Sequence, residues 1–343
     1  MPAFLSHPDV QLVLWAVIKM TVILFGVLTV VSYLILAERK LAGRMQMRFG
    51  PNRVGPFGLL QPVADVIKLF FKEEFIPAEA NKVIFHIAPM LAVLPALITF
   101  SVIPIGPNFV VTDINVGLLL FLAMSSIGVY AVVLAGWSSN NKYALIGGLR
   151  SSAQMISYEL ALGLAVISVL VLSGTLRPTA IVLQQAESWW NVVYLPLGFL
   201  LLLISGFAET NRLPFDLPEA ESELVGGYHT EYSSMKFSMF FMAEYLNMIV
   251  SACLLVTLFL GGYAVPGFIR DLLGLSGNWL AAAEVATFFA KVFFFLWLFV
   301  WVRWTLPRFR FDQLMHIGWK ILIPLGFLNV IWAALLVVWG VRS

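Results

Sequence analysis

Apolar residues gather into eight runs of about 20 residues, near 12–36, 83–104, 114–136, 155–174, 191–208, 237–260, 284–303 and 320–340. A helix of about that length crosses roughly 30 Å of hydrocarbon, so each run predicts a transmembrane helix. Trp15, Trp137, Trp189, Trp190, Trp279, Trp319 and Trp339 fall near run ends, where an amphipathic indole is most stable at headgroup level. The first run exceeds a signal-peptide core and no Lys or Arg precedes it, so it reads as a permanent span. A different period appears between the first two runs. Leu59, Leu60, Val63, Val66, Ile67, Phe70 and Phe71 recur at three- and four-residue spacing, with Gln61, Asp65, Lys68 and Lys72 on the opposite face. This predicts an amphipathic helix lying in the interface. The preceding stretch RFGPNRVGPFG, rich in Gly and Pro, forbids a regular element and makes a tight basic turn. Such a helix serves either as a surface anchor or as the wall of a cavity that admits an amphipathic ligand from the bilayer. The expectation is an all-α integral membrane protein: one polytopic domain over residues 1–343, about eight transmembrane helices, and an interfacial helix in the first cytoplasmic loop.

Composition agrees. Hydrophobic residues make up 60% of the chain and charged residues 12%, with a mean hydropathy of +0.91, which excludes a soluble domain. The single cysteine, Cys253, excludes an intrachain disulfide, a thiolate-held iron–sulfur cluster and a Cys-rich zinc site. A net charge of +2 argues against nucleic acid as a partner. The placement of the bases says more than their sum. Eight Lys and Arg lie in 37–82, two in 137–154, two in 209–236 and four in 303–320, whereas the opposite side has only Arg177, Arg270 and Arg342. The positive-inside rule then puts the odd loops in the cytoplasm and both termini outside.

Two groups of polar residues carry candidate chemistry. The connection 209–236 sets Glu209, Asp216, Glu219, Glu221, Glu223 and Glu231 against Arg212 and Lys236, and interleaves Leu213, Phe215 and Leu217. Crowded carboxylates raise one another's pKa, which is how a proton relay or a charge-responsive element is built. Glu159 and Glu244 lie inside spans, where an ionisable side chain costs upward of about 2.5 kcal/mol and faces a cavity or a partner. Lys291 joins them, either as a partner or as a reaching surface base, while Lys19 and Glu284 lie close enough to a boundary to snorkel. Carboxylates at different depths can pass a proton if water fills the gaps. His7, His86, His229 and His316 have no spacing suited to haem or metal, and no glycine-rich phosphate loop of the nucleotide-binding kinds is present. These features leave two readings open, a quinone-handling respiratory protein and a stand-alone cation/proton secondary transporter.

Four stretches carry a resemblance: AERKLAGRMQMRFGPNRVGPFGLLQPVADVIKLFFKE (37–73), ETNRLPFDLPEAESELVGGYHTEY (209–232), FFMAEYLNM (240–248) and LPRFRFDQLMHIGWK (306–320). They resemble the H-type membrane subunit of proton-translocating NADH:quinone oxidoreductase, respiratory complex I, the counterpart of mitochondrial NADH dehydrogenase subunit 1. The resemblance implies a multi-pass subunit of the bacterial inner membrane at the junction with the peripheral arm. Its partners would be the iron–sulfur and quinone-site subunits of that arm, neighbouring membrane-arm subunits and membrane lipid. Quinone would be the substrate, with no metal, flavin, haem or iron–sulfur cluster bound by this chain. Carried over by motif, Glu38, Arg39, Arg48, Asp65 and Lys68 would border the quinone passage. Glu209, Arg212, Asp216, Glu219, Glu221, Glu223 and Glu231 would line the way to the membrane arm, and Glu159 and Glu244 would begin the buried proton path.

Overall fold

The computed structural model describes residues 8–107, 109–217, 225–267, 270 and 276–340. Among them are seven helices long and apolar enough to cross a membrane. We label the helices α1 (Pro8–Met45), α2 (Gln61–Phe71), α3 (Lys82–Thr99), α4 (Gly117–Ser138), α5 (Lys142–Ser173) and α6 (Pro178–Glu187). They continue as α7 (Asn191–Tyr194), α8 (Pro196–Glu209), α9 (Ser234–Phe259), α10 (Gly277–Thr305), α11 (Phe311–His316) and α12 (Ile323–Val338). A π-helical turn, Ile317–Leu322, joins α11 to α12 into one long rod. The all-α membrane architecture expected from the runs is the one observed.

The fifth expected span departs from a simple rod. It is split into α7 and the 14-residue α8 at Leu195, whose φ of −127° and ψ of 59° leave the helical region. Pro196 is the cause, because its ring disfavours helical backbone at the preceding residue. Other spans run longer than their apolar cores. α1 has 38 residues, about 57 Å at the helical rise, and carries Ala37–Met45 beyond its apolar run before the Gly- and Pro-rich turn stops it. α5 begins at Lys142, thirteen residues before its apolar run, capped by the Asn141 side chain on the Tyr143 amide.

α5 and α9 form the centre. α9 carries the most buried apolar stretch and packs on α3, α8 and α10, while α5 is covered by α4, α8 and α12. Close approach of α4 to α5 depends on small residues: a Cβ built on Gly136 would stand 2.5 Å from the Ala144 carbonyl oxygen. At the far end of α9, Lys291 donates to the carbonyls of Leu260, Gly262 and Ala264 at 2.7, 3.0 and 3.3 Å, and its ammonium lies 4.7 Å from the Trp190 ring centre. Those acceptors lie where the chain leaves α9, so this lysine caps a helix end. α2 forms where the period placed it, with Val63, Val66, Ile67, Phe70 and Phe71 all exposed.

Candidate functional site

The chain leaving α8 turns back through Asn211, Arg212 and Phe215, and its course is held from α5. The fully buried Gln154 donates to the carbonyls of Ala208 at 2.8 Å and Phe215 at 2.7 Å, bracketing Arg212. Arg212 is thereby driven into the core, with 2% of its surface exposed. A guanidinium there loses its hydration, several kcal/mol by order of magnitude, and needs charged partners in return. It has them on two helices. Arg212 Nη1 donates to Glu38 Oε2 of α1 at 2.6 Å, and Nε donates to Glu244 Oε1 of α9 at 2.5 Å. Its plane also lies 4.1 Å from the ring centre of Tyr245, whose hydroxyl donates to Glu38 at 2.8 Å. Glu38 receives a further donor, Arg303 Nη1 of α10, at 2.5 Å.

Beside this group, Arg308 Nη2 donates to Asp216 Oδ2 at 2.8 Å. Burial pushes the Asp216 carboxyl up from its ordinary pKa despite the opposing pull of Arg308, and Glu244 adds to the upward push. For Arg212, burial pulls the pKa down, but Glu244 and Glu38 outweigh it and hold the guanidinium charged. With ordinary charges, Glu38, Glu244 and Asp216 balance Arg212, Arg303 and Arg308. Arg303, Arg308, Tyr245 and Gln154 were not singled out by sequence reasoning. Arg303 closes an apolar run as one base among four in 303–320, which conceals that it faces inward.

A lateral cavity of about 500 Å³ lies between α2 and the helices α1, α9 and α10. Its walls include Ile35, Val66, Leu69 and Phe241, and its polar side chains include Glu38, Arg39, Asp65, Lys68 and Arg303. Arg39 and Asp65 close one side through an ion pair at 2.8 Å, with Gln61 donating to the other oxygen of Asp65 at 3.0 Å. Of the five residues expected at a ligand passage, Glu38, Arg39, Asp65 and Lys68 thus meet at one cavity. Arg48 does not. It donates to Gln46 at 2.7 Å and lines a separate basic hollow with Lys40 and Arg44.

Among the described residues, the remaining carboxylates have separate hydrogen-bond partners. Ser125 donates to Glu209 and the adjacent Ser126 donates to Glu159, so two consecutive residues of α4 hold carboxylates from α8 and α5. A void of about 10 Å³ beside Glu209, lined also by Thr99 and Asn247, is near the least volume that accommodates a water. Glu159 and Glu244 are not paired with each other. Glu231 accepts from Asn141 Nδ2 at 2.6 Å, away from the Arg212 group. Glu219, Glu221 and Glu223 lie outside the described residues, as do His7 and Arg342. His229 is packed against Tyr228, Phe237 and Phe241, and burial lowers its pKa to about 4.

An all-helical membrane protein whose scarce charges converge on one buried ion network, under a cavity opening beside an interfacial helix, is the class these features define. Residues 18–334 match the profile described as NADH dehydrogenase. The chain is 52% identical over 329 residues to NADH-quinone oxidoreductase subunit 8 of Rhodothermus marinus, covering 94% of this chain and 96% of that one. It is 50% identical over 332 residues to the H-type NADH-quinone oxidoreductase subunit of Salinibacter ruber, and 49% over 331 to an H-type subunit of Cytophaga hutchinsonii, with the same coverage. The chain belongs to the NADH dehydrogenase family, as a membrane subunit of the NADH-quinone oxidoreductase H type.

Proposed function

We propose that this subunit forms the lateral mouth of a quinone passage and converts the charge change of quinone reduction into proton movement along its buried carboxylates. One observation carries the reading: the cavity beside α2 ends on Glu38 and Arg303, two members of the buried ion network. An amphipathic ligand would rest its apolar part on Ile35, Val66, Leu69 and Phe241 while its head group approaches the charges. Reduction to a quinol consumes two electrons and two protons, so a negative charge passes through this region before protonation is complete. Such a charge attracts Arg303 and repels Glu38, and Arg212 must then redistribute its donors between Glu38 and Glu244. From Glu244 inward, Glu209 and Glu159, held by Ser125 and Ser126, supply the next acceptors.

In the assembled complex the partners are the iron–sulfur and quinone-site subunits on the cytoplasmic side, and neighbouring membrane-arm subunits. The basic bias of the odd loops supports a bacterial inner-membrane location with both termini outside. The test is Glu244→Gln and Glu159→Gln in the intact complex. Quinone reduction linked to pumping should fall about tenfold, equivalent to ~1.4 kcal/mol of barrier, while NADH oxidation by an artificial acceptor stays at wild-type rate. Full quinone-dependent activity and pumping in both variants would remove these carboxylates from the path. A photoreactive quinone that labels nothing between Ile35 and Lys72 would remove the passage.

A further inference from the structure

A second cavity, of about 370 Å³, lies on the opposite half of the molecule and belongs to none of the chemistry above. It is enclosed by α1, α9, α10 and the segment 100–109, with Ile23, Gly26, Phe100, Cys253, Phe288 and Val292 among its walls. Its lining is almost wholly apolar. A Cβ built on Gly26 would meet no heavy atom within 4 Å, so the recess is open at the α1 wall. An engineered cavity of roughly 150 Å³ already takes up benzene, so a volume of about 370 Å³ suits a hydrocarbon chain segment. A second, mostly apolar crevice sharing Val30, Phe293 and Leu296 continues along the α1–α10 seam past Tyr33 to Glu38 of the ion network. The two together form an elongated trough, the shape of a chain and not of a folded side-chain knob.

The polar end of the trough indicates what the chain belongs to. Lys19 precedes Val22 and Ile23 by one helical turn on the same face of α1, and its bond to Val110 holds it next to the wall residue Phe109. Among the described residues its ammonium donates to the Val110 carbonyl at 3.2 Å, and an ammonium carries three donors. Glu284, next in sequence to the wall residue Val285, already has the Arg270 guanidinium as its charged neighbour. A base near the outer end of a span runs against the charge bias of this chain, which keeps nearly all its bases on the other side. A phosphodiester satisfies the ammonium, with the phosphate at Lys19.

We infer that the α1–α10 trough is a binding site for one outer-leaflet glycerophospholipid, its phosphate on Lys19 and one acyl chain in the recess. The test uses the intact complex in phosphatidylethanolamine vesicles containing a phospholipid with a diazirine along its acyl chain, followed by mapping of crosslinked peptides. Wild type should be labelled on the walls around Gly26 and Phe288. Gly26→Leu fills the recess and should cut that labelling about tenfold, as should Lys19→Gln, while Lys19→Arg retains it. Quinone reductase activity of each variant verifies that the complex is assembled. Absence of wall labelling in wild type would overturn the assignment. So would labelling unchanged in Gly26→Leu and Lys19→Gln, or a diazirine-tailed quinone labelling the same walls without displacement by excess phospholipid.

Discussion

Arg212 joins two carboxylates from two different helices with a single guanidinium, so its substitution unbalances both at once. Arg212→Leu should destabilise the complex by about 3–5 kcal/mol, the cost of leaving buried charge without its partner, read as a lowered melting temperature in detergent. Arg212→Lys should recover little of this, because a point ammonium cannot donate in two fixed directions as the Nε and Nη1 groups do. His229 gives a pH signature of the opposite kind. Its pKa is lowered to about 4 in the fold, against about 6.5 for an unperturbed histidine, so the unfolded turn binds more protons between those values. The stability it supports is complete above about pH 6.5 and is lost as pH falls toward 4. The protection factors of the amides of 225–233, with the intrinsic pH dependence of exchange divided out, should therefore fall between pH 6.5 and 4.5 in wild type, and this dependence should flatten in His229→Phe.

At the level of elements, the contacts between helices are set by residues with almost no side chain. Gly136→Ala forces a methyl against the Ala144 carbonyl, 2.5 Å from the built Cβ, and should cost about 1–3 kcal/mol through overpacking. Gly163→Ala is the control: a Cβ there meets nothing within 4 Å, so a helix-interior alanine should be neutral or stabilising by up to about 1 kcal/mol. Thermal melts of the two variants in one detergent check the contrast. The apolar runs located the spans and the three- and four-residue period located α2, because each pattern reports one helix against one solvent. The break at Leu195 was also written in the chain, as a residue before Pro196, but an apolar run conceals it. The early start of α5 was hidden for the reverse reason: Lys142–Gln154 is too polar to read as a span, yet one face of it, with Gly147 and Gln154, packs on the returning loop.

For the whole molecule, the charge bias of the loops predicts its direction in the membrane, and the chain's only cysteine makes this testable. Cys253 is 4% exposed, so a cysteine introduced at Lys142 or Trp189 is labelled over a quiet background. An impermeant maleimide should reach Lys142→Cys only from the cytoplasmic face and Trp189→Cys only from the outer face; the reverse pattern would invert the topology. Sequence reasoning identified the three acids of the network and Arg212 but not Arg303 or Arg308, since Glu38 and Arg303 are 265 residues apart and no local period links them. Of the acidic loop, the described Asp216, Glu231 and Glu209 each meet a different partner. The equality of three acids and three bases around Arg212 has an electrical consequence. A set of charges that sums to zero has no monopole, so its potential falls off with distance faster than that of a single charge. Capture of one proton gives the set a net charge, whose potential in a poorly polarisable interior falls only as the inverse of distance. That slower decay is what the proposed coupling asks of the network.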